Sequence, residues 1–167
     1  AGFSGFADSP SFSNFATMPA QQNETLKVVR IVKMALEIFN EDYIQFSALE
    51  DEIIAKLDRT QLIRVITNLV KNAIQSIPEE QEHKLVFVTV FREDNQVKIA
   101  VKDNGKGISE ENAARIFEPK FTTKSSGMGL GLAIIKNIIE NYHGTITFET
   151  ELNIGTEFLV SFPINKQ

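Results

Sequence analysis

Apolar residues first recur at three- and four-residue steps at Leu26, Val29, Val32, Leu36 and Phe39, a spacing that predicts an amphipathic helix beginning at Glu24. Short strands are predicted over residues 43–49 and 53–57, on either side of an acidic turn at Glu50 to Glu52. Asp58 suits the N-cap of a second helix running to about Ile77, where Pro78 stops it. Two further strands, residues 85–91 and 97–101, flank the polar turn Glu93-Asp94-Asn95-Gln96. Ser109 with Glu110 and Glu111 opens a short helix ending near Phe117. A long apolar helix over residues 130–142 ends at His143-Gly144, and residues 145–150 and 156–162 close the chain as a hairpin. Strands and helices do not alternate as a doubly wound parallel sheet requires. The pattern predicts a mixed sheet with helices stacked on one face.

The opening AGFSGFADSPSFSNFATMPAQQ breaks the pattern: it is rich in Ser, Ala, Gly and Phe, with prolines at Pro10 and Pro19, and reads as linker or irregular structure. Phe3, Phe6, Phe12 and Phe15 make it too apolar for a free tail, so some of them are expected to pack on this domain or a partner. Because the chain opens with Ala1 and shows no signal-peptide pattern, it is expected to be a piece of something longer. Its 167 residues suit one domain with short extensions.

Composition narrows the chemistry. With 43% hydrophobic and 23% charged residues, the chain holds no stretch long and apolar enough to span a bilayer. A net charge of −5 leans against a nucleic-acid surface. No cysteine is present, which excludes disulfides, thiolate metal sites and cysteine nucleophiles.

The candidate chemistry lies in four segments, in this order: NLVKNAIQS from Asn68, DNGKGI from Asp103, FEPKFTTK from Phe117, and GMGLGL from Gly127. Val97, Ile99 and Val101 share one strand parity, and Asp103 continues it onto the apolar face. A carboxylate there is costly unless something donates to it. The residues alone leave open that the strand ends earlier and Asp103 is a turn aspartate before Asn104-Gly105. Gly105 and Gly107 permit close approach, or simply a bend. Asn68 and Asn72 sit four apart on one helix face, at the border of its apolar stripe. An amide oxygen there suits Mg²⁺ that keeps several waters, though border asparagines also commonly face solvent. Gly127, Gly129 and Gly131 stand at the start of the long apolar helix, whose free amides and dipole favour phosphate. Lys124 offers a flexible point charge, and Thr156 shares the inward parity of Phe158, Val160 and Phe162.

Together these segments resemble the N, G1, F and G2 boxes of the ATP-binding catalytic domain of sensor histidine kinases, in the Bergerat-fold superfamily. The resemblance covers roughly residues 24–163 and implies an α/β two-layer sandwich: a mixed, mostly antiparallel sheet, helices on one face and a flexible ATP lid. Residues 24–167 would form that domain, and residues 1–23 would be linker and the remnant of a preceding dimerisation domain, which SFSNFATMP resembles. The implied ligands are ATP and Mg²⁺. By resemblance Asp103 reads the adenine amine, with Thr156 on the adenine side. Gly105, Gly107 and Ile108 line the base and sugar end, Asn72 is the metal ligand, and Asn68 and Lys124 are the catalytic pair. Phe117, Thr123, Gly127, Met128, Gly129, Leu130, Gly131 and Leu132 complete the nucleotide site. The connector over residues 104–128 is expected to be a lid with little apolar surface of its own, which Phe117 and Phe121 would close against the body or a partner domain. The spacing from FEPKFTTK to GMGLGL is most similar to kinases of the nitrogen-regulation type.

The implied reaction is transfer of the ATP γ-phosphate to a histidine of the dimerisation domain, and onward through the full-length protein to a response regulator. The resemblance implies a cytoplasmic location, on the cytoplasmic side of the membrane where the parent is a membrane-bound sensor. The fragment itself is expected neither to insert in a membrane nor, from its charge, to bind nucleic acid. Neither His83 nor His143 is followed by Glu or Asp, so the phospho-accepting histidine is expected outside this chain. Hydrolytic Bergerat-fold ATPases carry a glutamate base where this chain has Asn68, and an amide cannot take a proton near neutral pH. A serine-directed anti-sigma-type kinase shares the pocket; the dimerisation-domain remnant speaks against it. A pocket too degenerate to bind nucleotide would leave an interaction module, but all four boxes are intact.

Overall fold

A computed structural model describes residues 22–119 and 129–164. Its elements run β1 (Asn23–Lys27), α1 (Val28–Leu36), β2 (Ile44–Ala48), β3 (Ile54–Asp58), α2 (Arg59–Ser76), β4 (Val86–Glu93), β5 (Gln96–Asp103), α3 (Glu110–Ala113), α4 (Gly129–Asn141), β6 (Thr145–Glu151) and β7 (Gly155–Pro163). A five-stranded sheet has the order β2-β4-β5-β7-β6, and β1 pairs with β3 in a separate two-stranded ribbon. Among the described residues the β2–β4 pairing is parallel and the other pairings are antiparallel.

The inner face of the sheet follows the period of two. Val86, Val88 and Val90 of β4, Val97, Ile99 and Val101 of β5, and Phe158, Val160 and Phe162 of β7 are all buried. Against them pack Ile31 and Val32 of α1, Leu62, Val65, Ile66 and Leu69 of α2, and Ile135, Ile138 and Ile139 of α4. Helix faces and strand faces thus meet in one core, two layers deep. Asp94 and Asn95 both take positive φ, 55° and 62°, in the tight β4–β5 turn, the conformation that short polar residues tolerate best.

Two expectations fail: the short helix after Ser109 ends at Ala113 rather than near Phe117, and the first helix does not begin at Glu24. Residues 23–27 do not begin a helix; they form β1, whose Leu26 faces Ala55 in register. Leu26 is buried either way, and over so short a run its spacing does not separate a helix from a strand. Pairing with β3 decides the matter. The helix starts at Val28, and its first amides, which have no partner within the helix, are satisfied from a distance. The Val28 amide donates to the Ile53 carbonyl at 2.8 Å and the Val29 amide to Glu52 Oε1 at 3.0 Å. The acidic turn is therefore the cap of α1. Asp58 caps α2 as expected: its Oδ1 accepts from the Gln61 amide at 3.1 Å, while its Oδ2 accepts from the Gln22 amide at 2.8 Å.

Candidate functional site

Asp103 is the last residue of β5 and is buried, 5% exposed. The strand does not end earlier, yet Asp103 also makes a turn aspartate's hydrogen bond. The side chain lies on the inward face, and its Oδ1 accepts the Gly105 amide at 2.8 Å, as a turn aspartate does. Thr156, 5% exposed, stands opposite it across β5 and β7. The next strand continues the row, with Thr150 of β6 paired to Thr156.

The turn after Asp103 is fastened on both sides. Lys106 donates its amide to the Ser76 carbonyl at 2.9 Å, so the chain crosses directly under the end of α2. A Cβ at Gly105 would run into the Ser76 carbonyl oxygen and Oγ, which is why a residue without one stands there. Gly107 has a φ of 74°, and a Cβ on it would strike the Glu151 carbonyl. Asn104 is equally fixed, with Oδ1 accepting from the Leu85 amide at 2.9 Å and Nδ2 donating to the His83 carbonyl at 3.0 Å. Ile108 donates its amide to Thr150 Oγ1 at 2.9 Å.

The two asparagines of α2 are half-buried, on the same helix face. Asn68 donates Nδ2 to the Arg64 carbonyl at 2.8 Å, which orients its Oδ1 toward α4. That oxygen lies 3.1 Å from where a Cβ on Gly131 would stand. Asn68 of α2 thus faces the backbone of Gly131 in the first turn of α4. Gly129 and Leu130 open α4, whose first amides carry the positive end of the helix dipole. Leu132 is 7% exposed and turned into the core, leaving its backbone amide as what it can offer a ligand.

The first half of the connector is better held than its composition suggested. Ile116 is buried, and Phe117 packs edge-on against Phe148 of β6 with ring centroids 5.9 Å apart. Lys136 Nζ lies 5.0 Å from the Phe117 centroid. Those contacts come from other elements, which no local count of apolar residues anticipates. Phe121, Thr123, Lys124, Gly127 and Met128 lie outside the described residues. Arg64, Lys71, His83 and His143 are exposed. Among the described residues no group of three or more His, Asp or Glu side chains is arranged to hold a metal, and no helix is long and apolar enough to cross a membrane.

Two participants escaped the sequence reading. Thr150 shares the parity of Ile146 and Phe148, a signal that was there to be used. Ser76 closes the segment NLVKNAIQS without a role in that reading; it contributes its carbonyl and its bulk at the helix end.

The chain matches the family model described as histidine kinase-, DNA gyrase B-, and HSP90-like ATPase over residues 57–166. It is 36% identical over 152 residues to sporulation kinase A of Bacillus subtilis, covering 86% of this chain and 25% of that protein. It is 42% identical over 108 residues to the sensor histidine kinase ZraS of Escherichia coli, covering 65% of this chain and 23% of that protein. The chain therefore spans about a quarter of the length of these curated relatives. Among solved structures, the catalytic domain of the histidine kinase ThkA superposes with a TM-score of 0.77 at 29% identity, covering 86% of this chain and 97% of that one. ThkA in complex with the response regulator protein TrrA superposes with a TM-score of 0.71 at 27% identity, covering 86% of this chain and 42% of that one. The strands β4 to β7, the buried Asp103 at the end of β5 and the glycine-opened α4 all fall inside the residues the family model matches, whereas β1 and β2 precede them. The chain belongs to the histidine kinase-, DNA gyrase B- and HSP90-like ATPase family, as a sensor histidine kinase ATP-binding domain.

Proposed function

We propose that this domain binds Mg-ATP and presents the γ-phosphate to a histidine on a dimerisation domain of its parent protein, from which the phosphoryl group passes to a response regulator. The observation that carries this reading is the contact between Asn68 and Gly131, 3.1 Å from amide oxygen to the glycine's ideal Cβ position. It brings the polar face of α2 to the amide-bearing start of α4, with the carboxylate of Asp103 buried in the same domain. Catalysis of phosphoryl transfer is mostly positioning and charge neutralisation.

In this reading Asp103 accepts from the adenine amine and Thr156 borders the base. Gly105, Gly107 and Ile108 shape the base and sugar end, while the amides from Gly127 to Leu132 cradle phosphate. Phe117, Thr123, Met128 and Leu130 line the ligand, and Lys124 meets the terminal phosphate. Mg²⁺ fits the donor set. With no carboxylate cluster among the described residues, a neutral amide oxygen from Asn72, the phosphates and retained water suit a small hard cation. Bound there, the ion would neutralise phosphate charge. Asn68 argues for slow hydrolysis, since its amide is tied to the Arg64 carbonyl and is no base. Residues 24–167 would be the catalytic domain and residues 1–23 the approach from the dimerisation domain. The spacing around Lys124 supports a nitrogen-regulation-type kinase, and the domain would work on the cytoplasmic side.

The test is kinetic. The purified domain should bind Mg-ATP with little turnover, and should phosphorylate a separately supplied dimerisation domain bearing the acceptor histidine. Steady hydrolysis on the order of 1 per second, a typical kinase rate, would replace the kinase reading with a hydrolase.

A further inference from the structure

We infer that Thr150 is a positioning residue for base recognition: it takes up the Thr156 hydroxyl proton and so leaves Thr156 able only to accept toward the base. The inference rests on the nucleotide-binding reading above, and extends it to a residue with no contact to the base. Thr150 Oγ1 has three partners within hydrogen-bond distance. They are the Ile108 amide at 2.9 Å, the Gly155 carbonyl at 3.2 Å and Thr156 Oγ1 at 2.8 Å. A threonine hydroxyl has one proton to give and two lone pairs to receive with. The Ile108 amide can only donate and the Gly155 carbonyl can only accept. If Thr150 gives its proton to Gly155, it receives from Ile108 and from Thr156, and every group is paired. In the other arrangement Thr150 gives its proton to Thr156, and the Gly155 carbonyl loses this bond. Buried polar groups favour the fully paired network.

The consequence lies across the strand. Thr156 is paired in register with Asp103, and both are 5% exposed. With its proton committed to Thr150, the threonine adds a second acceptor beside a carboxylate that, when ionised, also only accepts. Donors on the ligand, or on a water bridging to it, are then favoured at this wall, and a carbonyl is repelled. Thr150 also holds the Ile108 amide, so the same hydroxyl ties the base wall to the start of the connector.

The test is a ratio. Affinities for ATP and for inosine triphosphate, which replaces the adenine amine by a carbonyl, are measured by calorimetry for the parent, Thr150→Ser and Thr150→Val. Serine keeps the hydroxyl and should keep the ATP preference. Valine keeps the shape and frees the Thr156 proton to turn toward a carbonyl. The preference should shrink by about tenfold, the weight of one ordinary hydrogen bond. If Thr150→Val fails to fold, Thr150→Ala removes the same hydroxyl without the second methyl and is read in the same way. A ratio unchanged in the folded hydroxyl-free variant overturns the inference even if both affinities fall. Failure of the parent to bind ATP at all would instead sink the functional reading beneath it.

Discussion

Asp103 of β5 and Thr156 of β7 face each other across an antiparallel pair, each 5% exposed. The carboxylate sits where a strand of valines and isoleucines would otherwise continue, and its Oδ1 is met by the Gly105 amide at 2.8 Å. In the proposed function this buried carboxylate and buried hydroxyl form the wall that discriminates among ligands by hydrogen-bonding character.

Asp103→Asn should therefore cost about 1.5–3 kcal/mol in ATP binding, the range for a hydrogen bond to a charged group. The preference for ATP over GTP should narrow, because an amide can turn its donor toward a carbonyl. Calorimetric titration reads both, with the ligand-free thermal transition as the folding control. Undiminished ATP affinity in the folded variant would remove Asp103 from base recognition.

Lys124 and Asn72 should separate by nucleotide and by metal. Lys124→Ala should weaken ATP more than ADP, since the lysine is assigned to the terminal phosphate. Asn72→Ala should weaken binding only when Mg²⁺ is supplied. Equal losses for ATP and ADP, or a loss indifferent to Mg²⁺, would withdraw the respective assignment.

Two glycine replacements should behave oppositely. Gly107→Ala puts a side chain at φ 74° and against the Glu151 carbonyl, and should lower stability by about 1–3 kcal/mol. Gly131→Ala adds a Cβ 3.1 Å from Asn68 Oδ1, a contact the amide, held by the Arg64 carbonyl, relieves only by shifting. Inside a helix alanine gains about 0.5–1 kcal/mol over glycine, so stability should hold while ATP affinity drops. Chemical denaturation and titration of the two variants check the contrast. A Gly131→Ala domain with full ATP affinity would mean that the Asn68 contact is structural only.

Both tyrosines should contribute to alkaline unfolding. Burial, and then the neighbouring charge of Asp58, raises the pKa of Tyr142, while burial, Glu41 and Asp42 raise that of Tyr43. Above about pH 10 the unfolded chain releases these protons while the folded chain still holds them. The stabilisation is complete below that pH and declines as pH rises toward the folded values. Tyr142→Phe and Tyr43→Phe should each flatten the fall in thermal midpoint above pH 10. A fall as steep as the parent's in both variants would assign it to other groups.

Most of the sheet was legible because its strands are half-buried and alternate. Val97, Ile99 and Val101 announce a face, and Asp103 and Thr156 stand out on that face by being polar. The helix boundaries at Asp58 and Pro78 were legible because capping and proline geometry act within a few residues. Those local rules, with the order of the four glycine- and asparagine-bearing segments, determined the two-layer class and most of the candidate site. What they could not supply is whatever depends on a partner distant in the chain. Leu26 fits a helix or a strand until β3 lies beside it, thirty residues on. Phe117 could close against the body or a partner until the Phe148 ring stands against it. Thr150 is an ordinary strand threonine until the folded sheet brings the Ile108 amide, the Gly155 carbonyl and Thr156 to one oxygen. Backbone propensity and periodicity are short-ranged, whereas strand pairing and hydrogen-bond satisfaction join residues far apart in sequence. That is why the tertiary structure alone decided β1, the anchoring of the connector and the meeting of the Thr150 and Thr156 hydroxyls.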